Sequence, residues 1–134
     1  MDIYAENILD HYRHPRHKGV LPPPCITHNE ENASCGDTLT VSMVIKEGCI
    51  TAIGWAGEGC AISQAGMSML AETLEGMTLE RAMQLKPIDI QELLKVPVGP
   101  RRIKCALLCL HALKNGINAW SGKPSQTWQE TLEE

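Results

Sequence analysis

The run from Thr38 to Ile45 alternates along its whole length. Leu39, Val41, Met43 and Ile45 fall on one face, and Thr38, Thr40 and Ser42 on the other. A period of two carried by β-branched residues predicts a half-buried strand. Glu47-Gly48 supplies a turn and Cys49–Ala56 returns, so the two runs form a hairpin.

Around this hairpin the period changes. Ile3, Ile8, Leu9 and Tyr12 predict a short amphipathic helix over 2–13, which Pro15 stops. Residues 15–24 carry four prolines and Gly19 and read as a loop. After Gly57-Glu58-Gly59, the stripe Ile62, Ala65, Met69 and Thr73 predicts a helix, with Ser63, Ser68 and Glu72 off the stripe and Gly76 past its end. Thr78 is suited to cap a short helix ending before Pro87, and Asp89 with Glu92 resembles a capping box opening another to about Lys95. The last helix is expected over about 101–120, with Ile103, Leu107, Leu110, Leu113 and Ile117 as its buried stripe. Residues 121–134 read as a C-terminal tail. The order α-β-β-α-α-α-α predicts one α+β domain, a small antiparallel sheet packed against several helices.

Composition narrows the function. With 134 residues, 43% of them hydrophobic, the chain can bury a core without a staple. Phe is absent, so the methionines, Met67, Met69, Met77 and Met83 among them, are expected as core filler. The net charge is −4 and the basic runs, His14–Lys18 and Arg101–Lys104, are short, which argues against nucleic acid as a partner. Acidic residues occupy the start, where a secretory signal would be basic and then apolar. The longest apolar run, Ala106–Leu113, is interrupted by His111 and falls far short of a membrane span. A cytoplasmic protein is expected.

In that setting six cysteines point to metal binding or reactivity rather than disulfides. No C-x-x-C occurs, which disfavours a zinc ribbon or thioredoxin-type site. Three cysteines stand at element boundaries: Cys35 in Ser34-Cys35-Gly36-Asp37 before the first strand, Cys60 before a helix, and Cys105 near the start of the last helix. A helix N-terminus favours the thiolate, so Cys60 and Cys105 are expected to be activated, Cys105 also by Lys104. With Asp37 these thiols make a four-ligand set suited to zinc or a two-iron cluster. Its oxygen ligand is the weak one, which suits a site that hands its cargo on.

Other candidates are expected to be structural. Cys109, four residues after Cys105, reads as core rather than as a relay. Cys25 and Cys49 have no partner at metal spacing, and His11, His14 and His17 read as solvated loop histidines. Arg101, Arg102 and Lys104 form either a solvated helix end or a cluster that steers an acidic partner.

Four segments carry a resemblance. Residues 8–19, Ile8-Leu9-Asp10-His11-Tyr12-Arg13-His14-Pro15-Arg16-His17-Lys18-Gly19, are similar to the U-type iron–sulfur assembly proteins. So are Cys35-Gly36-Asp37, Gly57-Glu58-Gly59-Cys60-Ala61-Ile62-Ser63 and Arg102-Ile103-Lys104-Cys105. This family comprises the scaffold IscU, the sulfur-accepting SufU and the N-terminal part of NifU. The resemblance implies the SufE/NifU-like form of the α+β fold, with 1–120 as the scaffold domain. It implies Cys35, Asp37, Cys60 and Cys105 as ligands of a transient iron–sulfur cluster, of the two-iron, two-sulfur type, or of zinc when the cluster is absent. It further implies a cysteine desulfurase as sulfur donor, Cys105 and then Cys60 as persulfide acceptors, and acceptor apo-proteins as clients.

The resemblance is divided between branches. Lys104 before the third cysteine is like the sulfur-accepting branch, whereas the short interval from Cys60 to Cys105 is like the scaffold branch. A scaffold, which is not an enzyme, and a zinc-dependent sulfurtransferase both remain open, with a structural zinc domain as a third reading. Pro97–Arg102 is only loosely similar to the scaffold's chaperone-binding segment, so an Hsp70-type chaperone is not expected as a partner.

Overall fold

The computed structural model describes residues 3–134, with side chains from Ala5 onward. Three strands form one antiparallel sheet in the order β1 (Ile26–Asn32), β2 (Asp37–Lys46), β3 (Cys49–Glu58). Six helices are present among the described residues: α1 (Ile3–Arg13), α2 (Ala61–Leu74), α3 (Leu79–Met83), α4 (Pro87–Leu94), α5 (Ile103–Trp120) and α6 (Trp128–Glu133). The α+β class is as expected. No helix among the described residues is long and apolar enough to cross a membrane.

The hairpin forms where the alternation places it, with Leu39, Val41 and Met43 buried. The register shifts between Val44 and Ile45, and Ile45, paired with buried Ile50, is half-buried against the same core. The other face is less open than alternation predicts. Ser42 is fully buried because the Pro-rich loop crosses it: Leu21 N–H donates to Ser42 Oγ, and a Cβ on Gly54 would lie 2.3 Å from Gly19 O.

The strand β1 is an addition to the predicted order. Its sequence, Ile-Thr-His-Asn-Glu-Glu-Asn, has one apolar residue and no hydrophobic alternation. Its inward residues meet polar partners on α5 instead: Asn115 Nδ2 donates to Glu30 Oε2 at 3.2 Å, and Glu30 Oε1 lies 3.8 Å from His111 Nε2.

The helix α5 is buried from Cys105 to Asn118 on every side, not along one stripe. Sheet, α2, α4 and α6 all pack on it. In α2 the expected stripe holds at Ala65 and Met69, but Thr73 is exposed while Ser63 and Ser68 are fully buried. Ser68 has a specific task. Its Oγ lies 2.7 Å from His11 Nδ1 and accepts the Arg16 N–H at 2.8 Å, clamping α1 and its exit loop to α2. His11 is therefore a buried structural residue rather than a solvated one. His14 and His17 are exposed, as expected.

Helix starts follow cap chemistry. Thr78 Oγ1 accepts from Arg81 N at the start of α3. The helix α4 begins two residues earlier than Asp89, at Pro87. Asp89 is its third residue and accepts the Lys86 N–H, so the box lies one register upstream of the Asp89/Glu92 reading. Residues 121–134 include α6, capped reciprocally by Thr127 and Glu130, and its Thr131 is fully buried.

Candidate metal centre

The candidate ligands sit where elements end. Cys35 lies in the turn between β1 and β2, and Asp37 is the first residue of β2. Cys60 is the N-cap of α2, and Cys105 is the third residue of α5. Antiparallel pairing of β2 with β3 brings the turn and the α2 N-terminus to one end of the sheet, since Thr38 pairs with Glu58.

Three of the four donors converge. One donor atom from each of Cys35, Asp37 and Cys105 lies within 4.8 Å of the others, and Cys105 Sγ donates to Cys35 Sγ at 3.4 Å. The Cys60 sulfur lies outside this group. Its backbone is attached to the group, because Cys60 N–H donates to Asp37 Oδ1 at 2.9 Å. Gly59 permits that approach. Its φ is +146°, and a Cβ there would lie 2.2 Å from Asp37 Oδ1.

The donor set fits a soft metal. Asp37 is 1% exposed, and its second oxygen, Oδ2, is buried without a hydrogen-bond partner. A buried carboxylate oxygen left unpaired is costly, and coordination of a cation satisfies it. Two thiols beside the Asp37 carboxylate, with a third on the adjoining α2 N-terminus, offer the sulfur-rich, four-donor chemistry that zinc and iron–sulfur clusters take.

Electrostatics of the site differ from the expectation for Cys105. Burial pushes its thiol well above the usual cysteine range, and the adjacent Asp37, Cys35 and Cys60 push in the same direction. The helix N-terminus is outweighed because Cys105 is only 3% exposed among acidic neighbours. Nor does Lys104 serve it: the ammonium lies over the Trp128 ring of α6, 5.8 Å from the centroid. Cys109 is core, as expected, with no exposed surface and a thiol pushed up to about 12 by burial.

One neighbour of the site has no sequence signal beyond its place three residues before Cys35. Asn32, the last residue of β1, is 1% exposed, and its side-chain amide donates to Cys105 Sγ at 3.8 Å. It was hidden because β1 itself is too polar to announce a strand.

Residues 3–127 match the family described as "NifU-like N terminal domain". The chain belongs to the NifU-like N-terminal domain family. It is 33% identical over 132 residues to a Bacillus subtilis protein named zinc-dependent sulfurtransferase SufU, covering 86% of this chain and 89% of that one. It is 30% identical over 129 residues to the Escherichia coli K12 iron–sulfur cluster assembly scaffold protein IscU, covering 90% and 95%. The crystal structure of a protein from Fervidobacterium islandicum, described as an iron–sulfur cluster assembly scaffold for the SUF system, superposes with a TM-score of 0.72 at 25% identity. That match covers 81% of this chain and 92% of that one. The NifU-like resemblance read from four short motifs thus extends over nearly the whole chain.

Proposed function

We propose that this chain is an iron–sulfur cluster assembly scaffold, taking sulfur from a cysteine desulfurase, iron from a donor, and passing the cluster to acceptor proteins. The carrying observation is the preassembled group of Cys35, Asp37 and Cys105, with Cys60 joined to it through Asp37. The naming of the Escherichia coli relative supports the reading. Residues 1–120 are the scaffold unit in this reading, 121–134 an appended segment, and the cytosol its place of work.

Each residue then has a task. The sulfurs of Cys35, Cys60 and Cys105 hold iron, and Asp37 supplies the exchangeable oxygen ligand. A thiolate of Cys105 or Cys60 attacks the outer sulfur of the donor's persulfide. The donor's S–S bond breaks, its cysteine leaves as a thiolate, and the acceptor becomes the persulfide. Cys60 is the more accessible of the two, being half-buried where Cys105 is buried. A cavity of about 220 Å³ is lined by Gly57, Glu58 and Gly59, the residues just before Cys60, together with Tyr12, Lys18 and Gln64. Zinc on the same four ligands is the resting, cluster-free form. In this reading the cluster it builds is of the two-iron, two-sulfur type.

A second reading, a zinc-dependent sulfurtransferase, is favoured by Lys104 and by the name of the Bacillus subtilis relative. Anaerobic reconstitution with iron, cysteine and a desulfurase separates the two. A transferable iron–sulfur chromophore is expected of the scaffold. Retained zinc, no chromophore and faster desulfurase turnover would replace it with the sulfurtransferase.

A further inference from the structure

We propose that Asn32 is a positioning residue of the metal centre, its amide donating an N–H···S hydrogen bond that orients the Cys105 sulfur toward the metal. The inference rests on the metal-binding reading above and adds a residue to it.

Asn32 reaches every part of the preassembled group. Its carbonyl accepts the N–H groups of Cys35 at 3.2 Å and Gly36 at 2.9 Å, which shapes the turn that presents Cys35. It pairs across the sheet with Asp37. Its Nδ2 lies 3.8 Å from Cys105 Sγ, a sulfur that also contacts Cys35 Sγ at 3.4 Å. The amide is thus the donor and the sulfur the acceptor, the polarity that survives when the thiol loses its proton to a metal. A thiolate in a buried site gains more from an N–H donor than it would in water. Such a bond withdraws charge from the sulfur and fixes the direction of its remaining lone pairs, as partners behind metal ligands do.

The bland alternative is a buried strand-end asparagine whose amide takes the nearest acceptor. Asn32→Ala and the isosteric Asn32→Asp separate the two, because both keep the backbone carbonyl that holds the Cys35 turn. The probes are zinc, titrated against a chromophoric chelator, and cobalt(II), read by its thiolate-to-metal charge-transfer absorption. Zinc affinity is expected to fall about 10- to 100-fold in Asn32→Ala. It should fall further in Asn32→Asp, where a carboxylate replaces the donor beside a thiolate. The cobalt band should move to lower energy in Asn32→Ala as the sulfur regains charge. Lowered thermal stability with wild-type zinc affinity and an unmoved band would overturn the proposal and leave Asn32 a packing residue. If Asn32→Ala does not fold, Asn32→Asp decides: unchanged zinc affinity overturns it and a loss supports it. Failure of the wild-type protein to bind either metal would overturn the metal-binding reading itself, whereas normal wild-type binding with both variants unchanged overturns only the role of Asn32.

Discussion

The backbone N–H of Cys60 donates to Oδ1 of Asp37, so the residue that caps α2 and the carboxylate that opens β2 share one hydrogen bond. One Asp37 oxygen is thereby committed to holding the α2 N-terminus. The other is left buried and unpaired, on a carboxylate gathered with two thiols. A single side chain both assembles the site and offers it the hard ligand.

Removing that carboxylate should retain the cargo. With Asp37→Ala, the ligand whose exchange opens the site is gone, and the reconstituted chromophore is expected to last roughly several-fold longer in the presence of an acceptor. Decay of visible absorption after acceptor addition measures this. An equal or shorter lifetime would remove Asp37 from the release step.

The three cysteines should not be equivalent toward zinc. Cys35 and Cys105 are already gathered with Asp37, whereas Cys60 must bring its sulfur in. Cys35→Ser and Cys105→Ser are expected to lose zinc more completely than Cys60→Ser, in chelator competition. All three variants should fail to form a cluster, since each removes one of the three thiolates that hold its iron.

The clamp on α1 is a stability prediction. Ser68→Ala leaves the Arg16 N–H and His11 Nδ1 without their shared partner in a buried place. A loss of about 1–3 kcal/mol in urea unfolding is expected. Metal occupancy should be unchanged, because neither group touches the site.

Acid should weaken the metal-free protein through two histidines. Burial holds both His11 and His111 below the ordinary histidine value of 6.5. Arg16 lowers His11 further, against Glu72 and Asp10, and Glu30 partly opposes burial at His111. The unfolded chain then binds more protons than the folded one below pH 6.5. Stability is present above that value and is lost as pH falls through it toward the folded values. Thermal unfolding in chelator should give a lower Tm at about pH 5.5 than at about pH 7.5, and His11→Gln should flatten the dependence.

The C-terminal segment should contribute to stability and not to the metal. Trp128 stacks on His111 with centroids 4.1 Å apart at 18°, and carries the Lys104 ammonium on its ring. Trp128→Ala is expected to cost about 1–3 kcal/mol. Its zinc affinity should stay at the wild-type value. A fall would show that α6 belongs to the working unit and not merely to its exterior.

How much could be read from the chain follows the range of each interaction. The hairpin, the ends of α1 and α2 and the Thr78 cap depend on neighbours a few residues apart, and periodicity, Pro15, Gly76 and hydroxyl chemistry reveal them. Candidate ligands were legible for a related reason: Cys35, Cys60 and Cys105 each stand beside a glycine or a helix start. The polar strand β1 carries no such local signal, because its inward side chains are matched by Glu30's partners on α5, more than eighty residues away in the case of Asn115. Asn32 was hidden with it.

By itself the sequence determined the α+β class, the family and the residue types able to hold a soft metal, since these rest on short-range pattern and motif. Only the tertiary structure decided which donors meet, that Cys105 is buried and disfavoured as a thiolate, that Lys104 serves Trp128, and that His11 clamps α1 to α2. Those outcomes turn on desolvation and on contacts between distant segments, which depend on where the folded chain places each group and not on its neighbours along it.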